Sequence, residues 1–155
     1  KIFFVDDASL LTFGVLTSTM HNAWMRYTCG RLKSDYSYSN TIVYNNYPWP
    51  GFAGEPLSDK HRTAIEQAAQ CVLDARAQFA SSSLADLYDP LTMPPALLKA
   101  HQKLDTAVDA AYQPSGGKKS YASDAERVAF LFPDGQSKLP HPWPPQTPPG
   151  SAFRL

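Results

Sequence analysis

The chain has 155 residues, 43% hydrophobic, 12% aromatic and 18% charged, enough to bury one core and fitting one domain, or one domain with an appendage. With 14 Lys and Arg against 14 Asp and Glu the formal net charge is +0. That balance excludes nucleic-acid binding by bulk charge alone, though not through a local basic patch.

The opening KIFFV is apolar and rich in aromatic and β-branched residues, which predicts a strand. From Ser9 the period changes. Phe13, Leu16, Met20, Trp24 and Tyr27 recur at helical spacing, predicting one helix with Ser9 as N-cap and Gly30 as its stop. GRLKSDYSYSN, residues 30–40, reads as an extended connector, and TIVY after it has strand composition. Prolines in NNYPWPGFAGEP end any regular element there.

A second helix is expected from Ser58, with Ile65, Ala69, Val72 and Phe79 as its apolar stripe. SLADLYDP carries a capping pattern, Ser83 with Asp86, on a short helix stopped by Pro90. TMPP starts a third long helix, whose stripe is Leu97, His101, Leu104, Val108 and Ala111. After the loop PSGGKKS, a further capping box at Ser123 and Glu126 opens a last helix ending at Pro133. The remainder is dense in proline and aperiodic, predicting an extended, polyproline-like or disordered tail. Its PHPWPPQTPP also has the spacing of ligands for SH3-like grooves.

The pattern as a whole is a helix-dominated α+β fold. A strand, helix and connector occupy residues 1–57, a small helical bundle 58–132 and a Pro-rich tail 133–155. Met20, Trp24 and Cys71 are expected in the core, Trp49 as a packed anchor and His101 as a hydrogen-bonded core histidine.

The parts of an independent enzyme are missing from the sequence. It has no GxGxxG or GxxxxGK[ST] phosphate loop, no HExxH and no GxSxG. Asp86 and Asp89 serve as a cap partner and a turn residue before Pro90 rather than as a catalytic pair. His21, His61, His101 and His141 show no metal spacing, so no metal is expected. Cys29 and Cys71 lack a CxxC spacing and follow no signal peptide, so reduced thiols and a cytoplasmic location are expected. No apolar run approaches the roughly 18 residues of a membrane span.

The connector at 30–40 carries more chemistry than a turn needs. On an extended segment Lys33 and Asp35 project to the same side. A lysine donates to O6 or N7 of guanine and an aspartate accepts from N4 of cytosine, so the pair suits one G·C pair. Ser37, Ser39 and Asn40 reach phosphates or base edges in this reading. Arg31 and Arg26 supply positive charge, and Tyr36 and Tyr38 pack or bond to the backbone. The same residues also fit a solvated surface pair beside cross-strand tyrosines.

The long stretch FGVLTSTMHNAWMRYTCGRLKSDYSYSNTIVYNNYPWP resembles the end of the target recognition region of MmeI-like, type IIL restriction–modification DNA methyltransferases. QCVLDARAQF, SLADLYDPLTMPPALLKAHQKLDTAVDAAY and DAERVAFLF resemble the helical C-terminal domain of the same family, so the similarity runs from about Phe13 to Phe132. The resemblance implies a bacterial parent enzyme that moves a methyl group from S-adenosylmethionine to N6 of adenine in double-stranded DNA. It implies that this chain is the C-terminal part of that enzyme, holding no cofactor itself and bearing against the upstream methyltransferase domain. It further implies base-reading roles for Lys33 and Asp35, beside which Arg31, Ser37, Tyr38, Ser39 and Asn40 are expected as DNA contacts from their own chemistry. YNNYPWP does not supply the catalytic Asn-Pro-Pro-aromatic motif, because Tyr47 separates Asn46 from Pro48. Ser37 stands where relatives often carry a basic residue, and the proline-rich stretch after Phe132 stands where they continue as helix. A helical protein–protein docking scaffold, marked by an exposed apolar patch without a basic surface near Lys33, is the alternative.

Overall fold

A computed structural model describes residues 3–32, 35–51, 56–112 and 121–132, together with the backbone of 153–154. The elements run β1 (Phe4–Val5), α1 (Leu10–Thr17), α2 (Thr19–Thr28), β2 (Gly30–Leu32), β3 (Asp35–Ser37), a π-helical turn (Asn40–Tyr44), α3 (Asp59–Ala77), α4 (Leu84–Leu87), α5 (Pro95–Ala111), α6 (Asp124–Leu131) and β4 (Phe153–Arg154). Helices dominate, with two small antiparallel sheets, β1 with β4 and β2 with β3. The expected loop at 114–120 and nearly all of the Pro-rich tail lie outside the described residues.

The predicted first helix is two helices. Ser18 has extended backbone torsions (φ −69°, ψ 158°) and is both the C-cap of α1 and the N-cap of α2. Its hydroxyl donates to the Val15 carbonyl (2.7 Å) and accepts from the His21 amide (3.4 Å). A serine that bonds locally in this way competes with the helical ladder. The apolar period continues across the break, so it could not reveal it: Met20 and Trp24 are buried, whereas Tyr27 is exposed.

TIVY is likewise not a strand. Asn45 donates to the Asn40 carbonyl (2.9 Å) in the wider π-helical pattern. The Asn46 side chain donates to the carbonyls of Thr41 and Ile42. The Trp24 indole donates to the Val43 carbonyl (2.9 Å) and draws this turn against α2. Side-chain donors on carbonyls, together with burial of Val43 and Tyr44, override the β propensity of the four residues.

The later helices follow their caps. Ser58 accepts from the His61 amide at the start of α3, and Pro95 opens α5. Ser83 and Asp86 form a reciprocal capping box on α4. The box expected on α6 is altered: Ser123 caps the Glu126 amide, but the Glu126 carboxylate accepts from Ala122 rather than from Ser123. Phe79 lies beyond the end of α3 and packs, partly buried, against the core.

Helices α1, α3 and α5 form the centre, with Val15, Ile65, Val72, Leu97, Leu104 and Val108 fully buried. Each such side chain contributes about 1.5–3 kcal/mol relative to exposure. Gly14 lets α1 approach closely: a Cβ there would lie 2.9 Å from Ile65 Cγ2 and 3.2 Å from Ala69 Cβ. One core therefore spans both halves of the sequence.

Two sets of polar side chains are paired across that core. Asp109 on α5 accepts two bonds from Arg127 on α6 (2.8 and 3.3 Å), although burial still raises its pKa above the usual carboxylate value. Arg76 donates twice to the Tyr88 hydroxyl (2.8 and 2.6 Å), which lies 2.6 Å from His101 Nε2. With its lone pairs facing Arg76, the hydroxyl donates its proton to Nε2, which makes His101 a neutral acceptor. Burial, with the Arg76 charge adding to it, lowers the His101 pKa accordingly.

Candidate nucleic-acid interface

Strands β2 and β3 form a short antiparallel hairpin that pairs Gly30 with Ser37, Arg31 with Tyr36, and Leu32 with Asp35. The described residues of both strands are exposed throughout. This corrects the expected single extended segment, because the chain reverses between Leu32 and Asp35. Strand alternation therefore does not run unbroken from residue 33 to residue 35. Lys33 itself lies outside the described residues. A Lys-Ser connection lacks the Asn-Gly or Asp-Gly signature of tight hairpins, so the reversal left no obvious mark in the sequence.

Directly opposed residues share a face, so the hairpin has two distinct sides. Gly30, Leu32, Asp35 and Ser37 occupy one, Arg31 and Tyr36 the other. The Arg31 guanidinium lies 4.4 Å from the centroid of the Tyr36 ring, and its Nη2 donates to the Tyr36 hydroxyl (3.1 Å). Stacking on an aromatic face limits the directions the guanidinium takes. The Asp35 carboxylate has no partner among the described residues. Leu32, which residue type and spacing do not mark as a site residue, is 73% exposed.

Both ends of the hairpin are tied to α2. At the entry, Cys29 caps α2 by donating its amide to the Met25 carbonyl (2.9 Å). At the exit, the Tyr38 hydroxyl is 3.1 Å from His21 Nε2, and its ring packs near Phe3 and His21. Burial pushes the Tyr38 phenol above its ordinary pKa and lowers His21 to about 4. His21 also meets the Tyr47 ring edge-on, with centroids 4.5 Å apart.

The structure thus separates the predicted site residues. Asp35, Arg31 and Ser37 lie on the exposed hairpin. Tyr38 is the anchor beneath it. Ser39 caps the π-helical turn, accepting from Ile42 and bonding Thr41, and Asn40 begins that turn. Arg26, expected to add local charge, instead pairs with Asp124 on α6 (2.5 Å).

The supporting helix α2 is held at both ends by the C-terminal helices. Asp105 on α5 accepts from the Thr19 amide and hydroxyl, both at 2.7 Å, placing a carboxylate at the positive N-terminus of α2. The Arg26–Asp124 pair ties the last turn to α6. Behind them, the Tyr112 hydroxyl at the end of α5 donates to the Pro48 carbonyl (2.8 Å) and lies 2.7 Å from the Tyr47 hydroxyl. Trp49 is buried, as expected of an anchor. Among the described residues no group of three or more His, Cys, Asp or Glu could hold a metal, and no helix is long and apolar enough to cross a membrane.

Residues 1–51 match the family description "MmeI, target recognition domain" and residues 57–140 match "MmeI, C-terminal domain". DNA methyltransferase A of Bacillus subtilis (strain 168) is 40% identical over 131 residues, covering 84% of this chain and 14% of that protein. A solved structure described as type IIL restriction-modification enzyme MmeI in complex with DNA is 51% identical, with a TM-score of 0.72, over 81% of this chain and 16% of that one. The chain spans only about one seventh of the length of these relatives.

Proposed function

Because the chain belongs to the MmeI family, matching its target recognition and C-terminal domains, we propose that it is the DNA-reading end of a type IIL restriction–modification methyltransferase. Residues 1–57 complete the target recognition region, 58–132 brace it, and 133–155 form an appended tail. The observation that carries this reading is the hairpin at 30–37. It is exposed on both strands, rooted on α2 at both ends, and lies within the segment matching the target recognition domain.

The partner is double-stranded DNA, consistent with the DNA complex of the relative at 51% identity. Lys33 and Asp35 read one G·C pair, lysine donating to guanine and aspartate accepting from cytosine N4. Arg31 and Ser37 supply accessory contacts from the two faces of the hairpin. Tyr38, Ser39 and Asn40 act from below, setting the angle at which the hairpin meets the groove.

The parent reaction is methyl transfer from S-adenosylmethionine to adenine N6, in the bacterial cytoplasm. The residues of this chain do not fit the cofactor, since they include no glycine-rich cofactor loop, and the catalytic Asn-Pro-Pro-aromatic motif is likewise not among them. Catalysis is assigned to the upstream methyltransferase domain, and this chain's share is selection of the site.

The test exchanges the two readers, Lys33→Glu with Asp35→Arg, in the full-length enzyme, and measures methylation of substrates varied at each site position. Preference should switch at one base pair by a factor corresponding to about 1–3 kcal/mol. An unchanged preference at every position overturns the assignment.

A further inference from the structure

Leu32 remains unexplained by packing. It is 73% exposed and lies outside the core, on a face where Gly30 contributes no side chain and a Cβ added at Gly30 would meet only open space. Arg31 and Tyr36 stack on the opposite face and so do not shield it. The register sets Leu32 directly across from Asp35, a placement that brings Cβ atoms within about 4.5–5.5 Å of each other. This face therefore presents one carboxylate with one apolar tip beside it.

The major-groove edge of cytosine has a matching pair of features. Its N4 amino group donates, and the adjacent ring carbon C5 is apolar; in thymine the same positions hold an acceptor and a methyl group. A carboxylate bonded to N4 leaves C5 facing whatever side chain stands next to it.

Resting on the reading of the hairpin as the DNA-reading element, we infer that Leu32 is a further specificity-determining residue, packing against the C5 edge of the pyrimidine whose N4 amino group is bound by Asp35. Thymine at this position sets its O4 against the carboxylate. Cytosine satisfies both side chains. 5-Methylcytosine keeps the N4 bond and adds a methyl group to the Leu32 contact.

The experiment uses the full-length enzyme and two steps. The Lys33 and Asp35 exchange first identifies the base pair whose preference changes. Cytosine at that pair is then replaced by 5-methylcytosine, and kcat/KM for adenine methylation is compared between wild type and Leu32→Ala. In wild type the added methyl should raise kcat/KM by about fourfold, the factor for burying one methyl group, and in Leu32→Ala the gain should vanish. A wild-type loss that Leu32→Ala relieves also supports the contact, with a tighter fit. The same ratio in both proteins, or no effect in wild type, overturns the role of Leu32 and leaves the base-pair assignment standing. If the exchange moves no preference, the reading of the hairpin fails first.

Discussion

His21 shows how one side chain links the stability of the core to the posture of the hairpin. It is buried, its Nε2 meets the Tyr38 hydroxyl, and its Nδ1 has no hydrogen-bond partner. Protonation would place a second, unsatisfied N–H donor and a charge in that interior. Burial of that charge away from water is the physical cause of the fall in its pKa from 6.5 to about 4. Above pH 6.5 both folded and unfolded chains hold the ring neutral, so stability does not depend on it. Between pH 6.5 and 4 the unfolded chain binds the proton and the folded chain resists it, so stability falls as pH falls, by about 3 kcal/mol in total. Urea unfolding at pH 7, 5.5 and 4 should show this loss in wild type and a correspondingly smaller one in His21→Gln. Parallel pH profiles would rule out His21 as the source.

Elements meet here through small residues as much as through large ones. Gly14 allows α1 to lie close on α3 and α5, and a Cβ added there would be 2.9 Å from Ile65 Cγ2, 3.2 Å from Ala69 Cβ and 3.3 Å from Leu104 Cδ1. The branched Ile65 side chain is stiff on a helix and yields poorly. Alanine is the better helix former by about 1 kcal/mol, but overpacking costs about 1–3 kcal/mol. Gly14→Ala should therefore be net destabilising, by about 1 kcal/mol, read as a lower denaturant midpoint with an unchanged slope. A stabilised variant would mean that the three helices have room to separate at no cost. Propensity failed at two other elements for comparable reasons. Ser18 is locally bonded where the apolar period ran on unbroken. Thr41–Tyr44 is curled into a π-helical turn by bonds from Asn46 and Trp24.

At the scale of the whole molecule, the C-terminal helices orient the exposed 30–37 hairpin without belonging to it. Asp105 bonds the first amide and the Thr19 hydroxyl of α2, 86 residues away in sequence. The Arg26–Asp124 pair at the other end is exposed and contributes little, about 0–1 kcal/mol. Asp105 is thus the stronger of the two ties. Asp105→Ala should cost about 1–2 kcal/mol of stability. In the full-length enzyme it should slow methylation by similar factors on preferred and variant sites, because it positions the hairpin and reads no base. A change confined to one base pair would instead give Asp105 a part in recognition. The exposed Leu84, Leu91 and Leu98 are features that a docking scaffold would also show, but that alternative leaves the exposed hairpin and its anchorage without a purpose.

What the sequence determined by itself was local. Caps at Ser9, Ser83 and Ser123, the helix start at Ser58, proline at the start of α5, and the apolar stripes of α3 and α5 depend on neighbours within a turn or two, so spacing and residue type suffice to find them. The long stretches shared with the MmeI family were equally legible, and with them the segment in which a DNA reader was expected. The tertiary structure decided where long-range partners compete with local preference. It broke the first helix at Ser18, curled TIVY, turned the 30–37 segment into a hairpin, drew Tyr38 down onto His21 and Arg26 across to Asp124. Leu32 became visible as a candidate reader for the same reason: its place beside Asp35 follows from strand register, and register is a relation between segments that no single stretch of sequence contains.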